Sequence, residues 1–322
     1  MLRTPLCDLV GIDVPVIQAG MSVYTSPRLA AAVSNAGGLG SLGAWNRPVE
    51  QLRSDLDALR DSTDRPFAVN HVVPALDPEA FSVTLELAPK VISFALDDAA
   101  ALMQQVHDAG CLVMQQVTTV QQAEQAVAHG ADIIVAQGGE AGGYSGTVAA
   151  LPLVPQVVDA VTPTPVVAAG GIADGRGVAA ALVLGAAGVN IGTRFLASDE
   201  SPVGEVWKKA ILAARSEEWV QLDFLNDLQP TPGTVGYGTR VRARRSEFTD
   251  RWQVRRDEIR TDPAPILAEF TSAAAAGTME ELLVVGGQSA GAITVLMSAA
   301  DIVHTLVTEA EDALARAAGL LN

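Results

Sequence analysis

The sequence predicts an α/β chain, an eight-stranded TIM (β/α)8 barrel with a smaller, mainly helical lid-like region. Two observations predict it. From residue 14 to about 196, short β-rich runs ending in Gly, Asn or Gln alternate with Ala- and Leu-rich helical stretches, which is the pattern of βα units. Eight such runs fall at 15–19, 39–42, 67–70, 91–94, 112–116, 133–137, 166–169 and 189–191, and eight strands close this barrel. A doubly wound open sheet shares the alternation, but it would place a GxGxxG phosphate loop after its first strand. None follows residues 15–19, and the glycine-rich loops cluster after the late runs instead.

The intervening stretches read as helices, for example 26–36 and 48–60. In the second, Val49, Leu52, Leu56 and Leu59 share one face. His107 and His129 each fall in the last turn before a glycine, Gly110 and Gly130, where a left-handed C′ residue ends a helix and positive charge suits the dipole. Beyond residue 200 the alternation stops, and the chain reads as helices with one Pro/Gly-rich connection at 229–238. The expected division is a barrel over 1–225, a lid over 226–300, and a C-terminal helix at about 300–322 packing back on the barrel.

Composition narrows the function classes. Hydrophobic residues make up 49% of the 322 and charged ones 18%, enough for a large core and too apolar for general disorder. With 21 basic against 37 acidic side chains the formal charge is −16, which repels nucleic acid and anionic lipid. A small-molecule substrate is the expected partner, and the sequence sets no oligomeric state. Cys7 and Cys111 cannot build a disulfide framework, so a reducing cytoplasm is the expected compartment. The N-terminus lacks the apolar stretch of a signal peptide. Residues 177–193 and 282–300 are interrupted by Gly, Asn or Gln and read as core, not membrane spans.

Barrel enzymes work at the C-terminal ends of their strands. There the chain reads Ala169-Gly170-Gly171-Ile172 and Asn190-Ile191-Gly192-Thr193-Arg194. Glycines admit a ligand close to main-chain N–H groups, and amides from two adjacent loops make an anion site without lysine. Phosphate is the expected guest; tight turns alone are the bland alternative. After 133–137 comes Gln137-Gly138-Gly139-Glu140-Ala141-Gly142-Gly143-Tyr144-Ser145-Gly146, a loop suited to hugging a flat cofactor ring, with Glu140, Tyr144 or Ser145 left to face substrate. Gln18-Ala19-Gly20-Met21 and Asn70-His71 add polar groups at the same mouth. Asn70 suits a cofactor edge, and His71, one residue on, should point the other way and serve structure, with a catalytic role as the alternative. Eight of the basic residues fall between Arg240 and Arg260. They suit either a phosphorylated ligand or a solvated face with pairs such as Glu247 with Arg251.

Taken in order, these motifs, with Pro15-Val16-Ile17-Gln18-Ala19-Gly20-Met21, Ala36-Gly37-Gly38-Leu39-Gly40 and Gly130-Ala131-Asp132, resemble the nitronate monooxygenases and the related flavin-dependent enoyl reductases. The resemblance covers most of residues 4–200. It implies non-covalent FMN, with phosphate at Gly170, Gly171, Gly192 and Thr193. It also implies ring contacts from Gly20, Met21, Asn70, Gln115, Gly142 and Gly143, with Ala19, Gln137 and Ala169 beside them. Gly287-Gln288-Ser289-Ala290-Gly291 resembles a family motif near the flavin, placing Gln288 there, or else marks a close helix crossing. One departure stands out: the family's presumed catalytic histidine is Tyr144 here. An imidazole near pKa 6.5 accepts a proton at neutral pH, whereas a phenol near 10 works better as an acid or donor. The functions expected are FMN-dependent oxidation of alkyl nitronates with O2, NAD(P)H-dependent reduction of enoyl thioesters or quinones, or flavin binding without catalysis.

Overall fold

The computed structural model describes residues 2–228 and 237–321, so most of the connection at 229–238 lies outside the described residues. Eight parallel strands form the barrel: β1 (Val16–Gln18), β2 (Gly40–Gly43), β3 (Phe67–Val72), β4 (Val91–Ala95), β5 (Leu112–Val117), β6 (Ile133–Gln137), β8 (Val166–Ala169) and β9 (Gly188–Ile191). Their order around the ring is β1-β9-β8-β6-β5-β4-β3-β2. The ring closes where Leu39 N–H donates to Val16 O and Gln18 N–H to Leu39 O, each at 2.9 Å. All eight expected runs became barrel strands, with no end displaced by more than two residues.

Period-two alternation sorts each strand into two faces. One face packs under the helices in a core holding Val16, Ile92, Phe94, Val113, Ile134, Ala168 and Val189. The other fills the barrel with Ile17, Leu39, Ala68, Val91, Met114, Ile133 and Val167. Leu6, Cys7 and Val10 of the helix Pro5–Val10 join that inner core. Helix Ala299–Ala318 lies across helix Gly175–Val183 so closely that a Cβ on Gly175 would meet Glu309 Cβ at 2.3 Å. Its Ile302, Val303 and Leu306 enter the outer core.

The region after residue 200 differs from the expected run of helices. β10 (Trp219–Leu222) and β11 (Arg240–Arg244) form an antiparallel sheet with β7 (Gly143–Ser145), the last drawn from the glycine-rich loop. Arg-Val-Arg-Ala-Arg carries the alternation of a strand, but its charge disguises the buried central strand of this sheet. The sheet rests on a lid core of Leu222, Phe224, Ala243, Phe248, Trp252, Ile259 and Ile266. Most of the arginine cluster is spent inside the lid: Arg240 pairs with Asp223, Arg251 with Glu269, Arg255 with Glu258, and Arg256 and Arg260 with Asp227. Arg251 therefore reaches Glu269 and not Glu247. Among the described residues no helix is long and apolar enough to cross a membrane.

Candidate active site

A cavity of about 540 Å3 opens between the C-terminal ends of the barrel strands and the lid, within the range of roughly 300–1,000 Å3 usual for cofactor and substrate sites. Its floor is polar. Gln18, Ser41, Asn70, Ser93, Gln116 and Asn190 line it, one from each of six strands. Asn70 Nδ2 donates to Ser93 Oγ at 2.8 Å, and Gln18 Oε1 accepts from Ser41 N–H at 2.9 Å. Ser41 Oγ and Asn190 Oδ1 are buried without a hydrogen-bond partner. Such atoms are costly unless a ligand satisfies them.

Main chain completes the floor. Gly170 and Gly171 follow β8 with φ of +96° and +75°, left-handed positions that favour glycine. A Cβ on Gly170 would sit 2.9 Å from Gly138 O, and one on Gly192 3.1 Å from Met21 Sδ. A Cβ on Gly20 would meet Asn70 Cβ at 2.4 Å, and one on Gly142 the carbonyl carbon of Gly286 at 2.5 Å. With Ala19, Met21, Gln137, Gly143, Ala169 and Thr193, these residues all line the cavity. A cradle of bare backbone with unpartnered side-chain oxygens fits a flavin: the backbone admits a flat ring, and the oxygens can meet its polar edge.

Three expected contacts lie elsewhere, two of them because neighbours on a strand face opposite ways. His71 is 2% exposed and packs outside the barrel against Phe81 and Phe94, with Nε2 3.0 Å from Thr84 Oγ1. Burial lowers its pKa to about 4, and it takes no part in the cavity wall. Gln115 also faces outward: Nε2 donates to Asp97 O and Gln116 O, and Oε1 accepts from Ala99 N–H. Gln116 holds the inward place, which alternation from Met114 signals. Gln288 stands behind the wall, its N–H on Glu140 O and its carbonyl accepting from Ser216 Oγ, while Gly286 and Ser289 line the cavity.

The glycine-rich loop also resolves. The Glu140 carboxylate accepts from Ala150 N–H at the start of helix Ala150–Val161. Ser145 is fully buried against Gln221. Tyr144 alone of the three candidates faces the cavity, paired across the small sheet with Val241 and 6.5 Å, ring to ring, from Trp45.

The roof is what the sequence reading missed. Leu225, Leu228, Leu267, Phe270 and Leu283 of the lid close over the cavity, with Tyr24, Trp45 and Trp207 at the side. Tyr24 and Trp207 pack with ring centroids 4.7 Å apart, tilted by 51°. Burial, with Glu280 nearby, raises the Tyr24 pKa and keeps its phenol protonated. No local pattern marks these residues; they meet only when the lid folds over the barrel. Among the described residues no Asp, Glu, Lys, Arg or His lines the cavity.

A barrel with such a cradle at its strand ends is the architecture of a flavin-dependent oxidoreductase. The chain belongs to the nitronate monooxygenase family, whose model matches residues 3–83 and 77–309. A "(3aS,4S,5R,7aS)-5-hydroxy-7a-methyl-1-oxo-octahydro-1H-indene-4-carboxyl-CoA dehydrogenase" of Mycobacterium tuberculosis is 42% identical over 216 residues, 66% of this chain and 61% of that protein. The chain thus spans about three fifths of that relative. A "Probable nitronate monooxygenase" of Staphylococcus saprophyticus is 33% identical over 320 residues, 84% of this chain and 86% of that one. Among solved structures, FabK from Thermotoga maritima superposes with a TM-score of 0.87 at 32% identity, covering 99% of this chain and 100% of that one. Nitroalkane oxidase from Streptomyces ansochromogenes gives 0.80 at 26%, covering 97% and 99%.

Proposed function

We propose that the protein is an FMN-dependent oxidoreductase that takes hydride from NAD(P)H and delivers it to a neutral, largely apolar acyl substrate. The observation that carries this reading is the absence of any charged or imidazole group from the cavity wall among the described residues. Deprotonating a neutral nitroalkane needs a base near neutral pKa, and the described residues of this wall offer none. An uncharged, apolar roof suits a neutral hydrocarbon body. The relatives named as dehydrogenases of a bicyclic carboxyl-CoA, at 42% and 44% identity, support an acyl substrate with an apolar ring body.

FMN would supply the hydride chemistry. Gly170, Gly171, Gly192 and Thr193 would hold its phosphate through main-chain N–H groups, and Ser41, Asn70 and Asn190 would meet the ring's polar edge. Tyr144 would hold a proton at Oη over the mouth and donate a hydrogen bond to the substrate's acyl oxygen. The lid leucines and Phe270 would exclude water, which strengthens that hydrogen bond. Nitronate oxidation is the alternative reading, favoured by the family match and by the relative covering 84% of the chain.

Anaerobic mixing of the flavin-loaded protein with NADPH, NADH or an alkyl nitronate separates the readings. Bleaching of flavin absorbance by a nicotinamide and not by nitronate is the expected result. The reverse would replace the proposal with nitronate oxidation, and bleaching by neither would leave a flavin-binding module.

A further inference from the structure

The buried face of the lid sheet carries an arrangement that the proposed chemistry does not by itself require. β11 sets Val241 opposite Tyr144 and Arg242 opposite Gly143, while β10 sets Gln221 opposite Arg242. Directly paired residues share a face of the sheet. Val241 and Tyr144 therefore point together into the cavity, and Arg242, Gln221, Gly143 and Ser145 share the back.

On that back face the Arg242 guanidinium meets main-chain carbonyls. Nε and Nη2 both donate to Gly139 O, at 3.2 and 2.6 Å, and Nη1 donates to Trp219 O at 2.6 Å. The residue is 8% exposed. Gln221 Nε2 donates to Gly146 O at 2.8 Å and to Ser145 Oγ at 3.1 Å. The two side chains thus grip opposite ends of one loop, Gly139 at its start and Ser145 with Gly146 at its finish, and Tyr144 lies between the grips on the opposite face. A loop so rich in glycine loses much conformational entropy on ordering. Keeping a cation here costs desolvation: burial lowers the Arg242 pKa, with Glu140 alone opposing it.

We infer that Arg242 and Gln221 are positioning residues, a two-point clamp from the lid sheet that fixes the glycine-rich loop and thereby the height of Tyr144 over the cavity. The inference rests on the proposed role of Tyr144 for its kinetic consequence, but not for its structural one. The planar guanidinium suits the task because one fixed fork spans Gly139 and Trp219 together, which a lysine ammonium cannot do. Lid and loop are consequently coupled: whatever orders β11 also sets the tyrosine.

The test uses Arg242→Met, Arg242→Lys and Gln221→Leu in the full chain, with two readouts. Hydrogen exchange followed by mass spectrometry should show faster exchange in peptides spanning residues 138–147, with barrel-strand peptides unchanged; Arg242→Lys should be intermediate. Turnover should fall by roughly 10- to 100-fold, the range that a misplaced group produces, and this loss should vanish when each variant is made on a Tyr144→Phe background. Unchanged exchange in the loop overturns the clamp. So does a loss of turnover that persists in full without the Tyr144 hydroxyl. If Arg242→Met does not fold, Gln221→Leu carries the same two readouts. Should Tyr144→Phe alone leave turnover intact, the proposed hydrogen-bond donor fails, and loop exchange still decides the clamp.

Discussion

The cavity's floor is lined by Gln18, Ser41, Asn70, Ser93, Gln116 and Asn190 from barrel strands, whereas its roof is Leu225, Leu228, Leu267, Phe270 and Leu283 from the lid. The floor is polar, keeps two buried oxygens without partners, and is edged by glycines whose missing side chains leave room for a ring. The roof has no polar lid side chain among these five and offers shape and exclusion of water. On the proposed function the difference is a division of labour: a cofactor with many polar atoms needs fixed donors and acceptors, while a neutral hydrocarbon body needs only a dry surface of suitable form. Tyr144 stands where the two meet, on a strand that belongs to the barrel's loop and to the lid's sheet.

Three changes break or sharpen this comparison. The largest effect is expected from Gly170→Val. A β-branched residue at φ +96° is a backbone outlier costing on the order of 1–3 kcal/mol, and its Cβ would press on Gly138 O. Purified protein should lose its flavin absorbance while circular dichroism keeps the barrel's signature; a fully yellow variant would show that the floor is not the cofactor's seat.

Next is His71→Gln, on the outer face of the barrel beside the floor residue Asn70. The folded pKa of about 4 lies below the ordinary 6.5, so folding keeps the imidazole neutral. The associated stability is fully present above pH 6.5 and is lost as pH falls toward 4, roughly 3 kcal/mol across the window. His71→Gln should flatten that dependence in melts taken from pH 7 to 4, with flavin affinity unchanged. A change in flavin affinity would move His71 into the site.

The smallest effect belongs to the roof. Phe270→Ala should raise the KM for an apolar acyl substrate by roughly tenfold, the scale set by lost hydrophobic contact, with flavin content unaltered. An equal loss of flavin would erase the distinction between floor and roof.

Much of the fold was legible in the sequence because barrel strands announce themselves locally. Short β-rich runs ending in Gly, Asn or Gln located all eight strands, and the positions of Gly20, Asn70, Gly142, Gly170 and Gly192 at the mouth followed from their ends. Facing was harder. Gln115 and Gln116 are chemically identical, and only the strand's register turns Gln116 inward and Gln115 outward. The antiparallel sheet escaped because its strands come from distant segments, one of them three residues of a glycine-rich loop and another disguised by arginines.

The sequence by itself determined the barrel, the glycine-edged mouth and the presence of a phenol at residue 144, since these depend on local periodicity and residue type. Only the tertiary structure decided the apolar roof, the capture of the arginine cluster by lid carboxylates and the two-point grip of Arg242 and Gln221. Those features join residues up to about a hundred positions apart, and no local pattern specifies which distant side chains will share a face once the lid has closed over the barrel.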